Sequence, residues 1–124
     1  MILEHLSEAI IGCYYEVYNS LGHGFLEKVY ENAMVVELRD KDLLVQQQKP
    51  MSVTYRGVIV GDYQADILVN DLVVLELKVT DSRHQSHEAQ LINYLKASSK
   101  PLGLLLYFGK NAIIRRVVNT SKSV

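Results

Sequence analysis

The sequence predicts an α/β domain built on a mixed sheet, and three observations carry that expectation. Apolar residues recur at helical spacing up to about residue 41, then alternate with a period of two from about residue 52 to 80. A third helical stretch follows. After it comes the continuous apolar run PLGLLLYFG, bounded by Pro101 and Gly109, which reads as a central strand buried on both faces.

Taken in order, Leu6, Ile10, Cys13, Val17 and Leu21 form the apolar stripe of a helix from about Leu3 to Leu21. LGHG breaks it, with Gly22 and Gly24 as the stop, and Gly24 is expected to serve the backbone, by a positive φ or by room for close approach. A second helix should run from Leu26 to about Lys41 and bury Val29, Ala33 and Val36. The segment SVTYRGVIVGDYQADILVNDLVVLELKVT then reads as a three-stranded meander, turning at Arg56-Gly57 and Asn70-Asp71. Asp81 or Ser82 is positioned to cap a third helix from about Arg83 to Ala97, with Ala89, Ile92 and Leu95 inward. AIIRRVV is the expected edge strand, with Arg115 and Arg116 outward or at a ligand. The order is helix, helix, three strands, helix, two strands, within a single domain spanning residues 1–124.

Composition narrows the class. An apolar share of 48% and a charged share of 22% are those of a soluble globular protein. No apolar run approaches the roughly 18 residues that cross a bilayer, and no leader precedes the first helix, so no membrane role is expected. The single cysteine, Cys13, forbids an internal disulfide and a Cys-based zinc site, and fits a cytoplasmic location. Net charge is only −1, but it is unevenly spread: residues 1–80 sum to −6 and residues 81–124 to +5. A basic last third facing a polyanion, or a merely solvated basic face, would both read this way.

The chemistry concentrates in VVLELKVT, residues 73–80, where Glu76 and Lys78 interrupt an apolar strand on one shared face. Asp66 lies upstream in YQADILV. Acids and a base decorating the solvent face of a sheet would look like this. So would a divalent-metal site, in which Asp66 and Glu76 offer hard oxygens to Mg²⁺ and Lys78 stands beside the attacking water. A joint site also constrains the hairpin. A two-residue turn at Asn70-Asp71 would pair Val69 with Leu72 and send the two carboxylates to opposite faces. A shift of one is required, through a three-residue loop or a β-bulge. The bulge is the expected form, since Leu72 suits a positive φ poorly.

Asp66 followed by ELK at 76–78 resembles the signature of the PD-(D/E)XK nuclease superfamily, although Ala65 replaces the proline before the Asp. GFLEKVY, with Gly24, Glu27 and Tyr30, is similar to the motif of its GxxExxY family, and Gln90 and Tyr94 in QLINY resemble the Gln-x-x-x-Tyr motif of RecB-like nucleases. The resemblance runs from about Leu21 to Val118. It implies a restriction-endonuclease-like core, a central sheet of about five strands flanked by helices. It further implies a nuclease that hydrolyses nucleic acid, DNA foremost, with Mg²⁺ or substituting Mn²⁺. The metal would be held by Asp66, Glu76, the Leu77 backbone carbonyl and Glu27, the last directly or through water. Lys78, Glu76, Asp66 and Glu27 would be catalytic. Gln90, Tyr94, Tyr30, Arg115 and Arg116 would contact substrate, with core packing, hydroxyl at the rim, an equal reading for Tyr30. A catalytically silent nucleic-acid- or protein-binding module and a homodimeric junction-resolving enzyme are the rival expectations. His84 and His87, three apart, are read as exposed or near phosphate rather than as a metal pair.

Overall fold

The computed structural model describes residues 2–120. Helices α1 (Ile2–Leu21) and α2 (Glu27–Asp40) precede strands β1 (Val45–Tyr55), β2 (Val58–Val69) and β3 (Val73–Lys78); α3 (Gln85–Ser98) then leads to β4 (Leu102–Phe108) and β5 (Ala112–Val118). The five strands lie in sequence order in one sheet. Only β3 and β4 run parallel, because α3 carries the chain back between them. The fold class is therefore as the sequence predicts: a mixed sheet flanked by helices.

Two apolar layers sandwich the sheet. Leu6, Ile10, Tyr14 and Val17 of α1 and Tyr30, Met34 and Leu38 of α2 pack on Leu75, Leu77, Leu104 and Leu106. On the other face, Leu91, Tyr94 and Leu95 of α3 cover Leu68, Val74 and Leu105. Every residue of β4 is buried, as a strand covered on both faces must be. Gly103 brings α3 close, since a Cβ there would lie 2.8 Å from the Leu91 side chain.

Several local expectations shift. In α2 the buried stripe is Tyr30, Met34, Val35 and Leu38, whereas Val29 and Val36 are exposed. The larger aromatic decides the rotation: Tyr30 stacks on Phe108 with ring centroids 4.4 Å apart. In α3, Ala89 and Ile92 also face outward, and His84 caps the helix, its Nδ1 accepting the Ser86 N–H at 3.1 Å. Asp81 instead accepts the Asn111 N–H (3.3 Å), which removes it from capping. β1 begins at Val45 rather than near Ser52. It is an outer strand, where Pro50 lacks no needed donor.

The β2–β3 hairpin closes with the offset that a joint acid site needs. Val69 pairs with Val73 and Ile67 with Leu75, leaving Asn70, Asp71 and Leu72 as a three-residue loop. The expected bulge is not used. Asn70 (φ 51°) and Asp71 (φ 57°) take the left-handed positions themselves, so Leu72 is spared one. Asn70 Oδ1 is fixed by the Leu44 N–H at 2.8 Å.

Candidate active site

Asp66 and Glu76 stand one step beyond the Ile67–Leu75 pair, where the β2–β3 ladder stops. Side chains take over from the missing backbone bonds. The Leu77 N–H donates to Asp66 Oδ2 at 2.8 Å, and the Asp66 N–H donates to Glu76 Oε1 at 3.3 Å. Each carboxylate thus accepts from the strand that carries the other, which holds the two acids together where the sheet opens. Burial first, and the Asp66 carboxylate second, push the Glu76 carboxyl up to about 8. Asp66 is also raised by burial, against the Leu77 N–H, which stabilises its charge.

Further acids arrive from α2. Glu27 opens the helix, and its carboxyl is raised by loss of solvent and then by Asp66, which places it within electrostatic reach of the pair. Glu31, one turn on, is only 2% exposed and was not anticipated as a participant. It accepts Lys28 Nζ (3.1 Å), Gln47 Nε2 (2.8 Å) and Gln48 Nε2 (2.9 Å). Gln48 Nε2 also lies 3.5 Å from Asp66 Oδ1. Lys78 acts electrostatically on Glu27, Asp66 and Glu76, but no ion pair among the described residues includes it.

The α3 side meets the sequence expectations unevenly. Tyr94 lies near Glu76, which raises its phenol after burial does, and its hydroxyl donates to the Lys49 carbonyl at 3.1 Å. Gln90 sits one turn earlier on exposed surface. Beside Lys78 in the sheet, Tyr107 hydrogen-bonds His87 Nδ1 at 3.0 Å. Tyr107 also lines a cleft of about 320 Å³ with Arg83, His84, Gln85, Glu88 and Arg115. His84 Nδ1 is engaged with Ser86, so the histidine pair is not assembled for metal.

One expected substrate contact is corrected. Tyr30 is fully buried; its hydroxyl donates to the Gly22 carbonyl (2.6 Å) and accepts the Phe25 N–H (3.2 Å). It fastens the LGHGF turn, where Gly24 has φ 112°, and cannot reach a substrate. Arg115 and Arg116 point to opposite faces of β5. Arg115 grips Glu88 of α3 at 2.6 Å, whereas Arg116 reaches Ser7 of α1 at 3.3 Å. Strand alternation forbids the pair from sharing one ligand at the site.

A family model of the PD-(D/E)XK nuclease superfamily matches residues 4–117. The chain belongs to that superfamily. No curated protein sequence matches it. Among solved structures the chain is similar to SSO0001, with a TM-score of 0.60 and 16% identity over 77% of this chain and 50% of that one. It is also similar to the alkaline exonuclease LHK-Exo from Laribacter hongkongensis, with a TM-score of 0.55 and 11% identity over 74% of this chain and 55% of that one. These likenesses show the fold, a restriction-endonuclease-like core. The chain spans about half the length of both neighbours.

A superfamily of this kind implies a divalent metal, and the acid pair fits one. Burial first, and then the Asp66 carboxylate, oppose charge on Glu76, and a cation beside the pair would relieve that. Among the described residues no group of three or more His, Cys, Asp or Glu is arranged to hold a metal ion. A divalent ion held here would draw on the Asp66 and Glu76 carboxylates, with other oxygens completing its shell.

The raised Glu76 carboxyl sets a pH dependence. Its folded value near 8 exceeds the ordinary 4.5, so between those values the native state holds a proton that the unfolded chain has released. Stability of the metal-free protein should then fall as pH rises through this window, by about 1 kcal/mol per unit. Melting temperatures across pH 5–8 should decline for the wild type and flatten in Glu76→Gln. An equally steep decline in the variant would remove Glu76 as the cause.

Proposed function

We propose that this chain is a Mg²⁺-dependent phosphodiesterase that hydrolyses nucleic acid, with DNA as the favoured substrate. The observation that carries the reading is the register-matched pair of half-buried acids, Asp66 and Glu76, with Lys78, in no ion pair among the described residues, on the neighbouring position of the same strand face. Asp66 and Glu76 hold the metal, with the Leu77 carbonyl completing the protein's share and Glu27 contributing directly or through water. When bound, Mg²⁺ supplies an acidified water and neutralises charge on the scissile phosphate. Lys78, beside the acid pair, would orient an attacking water and offset charge developing on the phosphate oxygens. Tyr94 of α3 lies near Glu76, and Gln90 extends the same helix face toward the substrate strand. The cleft beside Tyr107 offers Arg83 and Arg115 to neighbouring phosphates. Mn²⁺ should substitute for Mg²⁺, because it accepts the same oxygen donors.

Lys78→Ala tests the chemistry. Turnover on single-stranded, duplex or branched DNA should fall about 10²–10⁴-fold, with metal affinity and fold nearly unchanged. Asp66→Asn and Glu76→Gln should also weaken Mg²⁺ binding, since a neutral amide is a poorer ligand for a hard cation. Wild-type protein that binds DNA well and cuts none under any metal would favour a silent binding module.

The salt dependence of DNA affinity separates the two arginines. Arg115→Ala should reduce the slope of log affinity against log salt by about one, with Arg116→Ala near wild type. Equal effects would place the nucleic acid elsewhere on the surface.

A further inference from the structure

We infer that Gln48 is a positioning residue for the acid pair, its carboxamide tying Asp66 to the buried Glu31 and fixing the Asp66 carboxylate for a cation. This rests on the reading of Asp66 and Glu76 as a metal site and adds a residue to it.

The backbone supplies the first argument. Gln48 has φ 51°, a left-handed conformation in the middle of an outer strand, for a residue without glycine's freedom. Such a conformation is strained and persists only where its surroundings enforce it. The strand itself does not ask for it. Gln47 pairs with Ile67 and Lys49 with Ala65, one unbroken register on both sides of Gln48. No residue is inserted there; the β1–β2 register shift comes later, at Val53/Thr54.

The side chains show what the distortion achieves. In a regular strand Gln47 and Gln48 would point to opposite faces. Here both amides donate to Glu31, at 2.8 and 2.9 Å. The Gln48 amide carries two N–H bonds, and its nitrogen also lies 3.5 Å from Asp66 Oδ1. Asp66 Oδ2 already accepts the Leu77 N–H at 2.8 Å, so each oxygen has one protein donor and the carboxylate plane is set from two sides. Lone pairs remain on both oxygens for a metal. Glutamine meets a particular need. It donates to two acids at once without adding another negative charge, and without the ion pair by which a lysine would compete with the cation. Glu31, 2% exposed and also held by Lys28, is the anchor.

Calorimetric titration of Mn²⁺ into the metal-free protein tests the assignment without using catalysis. Gln48→Gly should weaken Mn²⁺ affinity about 10- to 100-fold, as loss of a partner that orients a ligand does. Gln47→Ala removes the other amide on Glu31 but does not touch Asp66, and should bind Mn²⁺ as wild type does. A merely structural amide pair would make the two variants alike. If Gln48→Gly does not fold, Gln48→Asn replaces it: Asn accepts the left-handed backbone but is one methylene short, and should show the same loss. Wild-type affinity in the Gln48 variants, or an equal loss in Gln47→Ala, would overturn the role of Gln48 alone. Wild-type protein that takes up no Mn²⁺ would overturn the acid-pair reading and this one with it.

Discussion

Val69 pairs with Val73 and not with Leu72, and that offset of one residue determines where Asp66 and Glu76 meet. A tighter turn would leave the strands, the core and the composition unchanged while sending the two carboxylates to opposite faces. The loop that prevents it is local chemistry. Asn70 and Asp71 are among the few residues that tolerate a left-handed backbone, and two of them in a row close a three-residue loop without straining Leu72. Beyond the Ile67–Leu75 pair the ladder stops, and the acids bond the backbone of the opposite strand in its place. The opening in the sheet and the site are therefore one feature, reached by α2 from one side and α3 from the other.

The acids are held together against their own repulsion. Glu27, Glu31, Asp66 and Glu76 crowd the end of the hairpin, and burial together with their neighbours pushes three of them, Glu27, Asp66 and Glu76, upward. A core selected only for stability would place apolar groups there. The supporting structure is correspondingly firm: the fully buried β4 beneath, Tyr30 stacked on Phe108 to fix α2, and Gly103 admitting Leu91 so that α3 lies close. Rigid neighbours are what allow an arrangement unfavourable in itself to persist.

Much of this was legible in the chain. The change from helical to alternating periodicity gave the element order, and the run ending in Phe108 gave the buried strand. Asp66, Glu76 and Lys78 were visible because charge in an apolar strand has few explanations. What escaped had physical reasons. The rotation of α2 depended on Tyr30 finding Phe108, a contact 78 residues away in sequence that spacing of valines does not report. Tyr30 matched a motif, yet its hydroxyl serves the turn it follows. Gln48 and Glu31 carried no signal, since a polar edge strand and a helix glutamate are ordinary, and a left-handed φ at glutamine leaves no mark in composition. The arginines were adjacent in sequence and so, by strand alternation, were always destined for opposite faces.

The most direct measurement is anomalous diffraction from crystals of the protein soaked in Mn²⁺. The expected result is a peak between the Asp66 and Glu76 carboxylates, about 2.0–2.3 Å from an oxygen of each, that is lost in the Glu76→Gln variant. No peak between these acids at saturating Mn²⁺, or a peak bound elsewhere and indifferent to Glu76, would contradict the account.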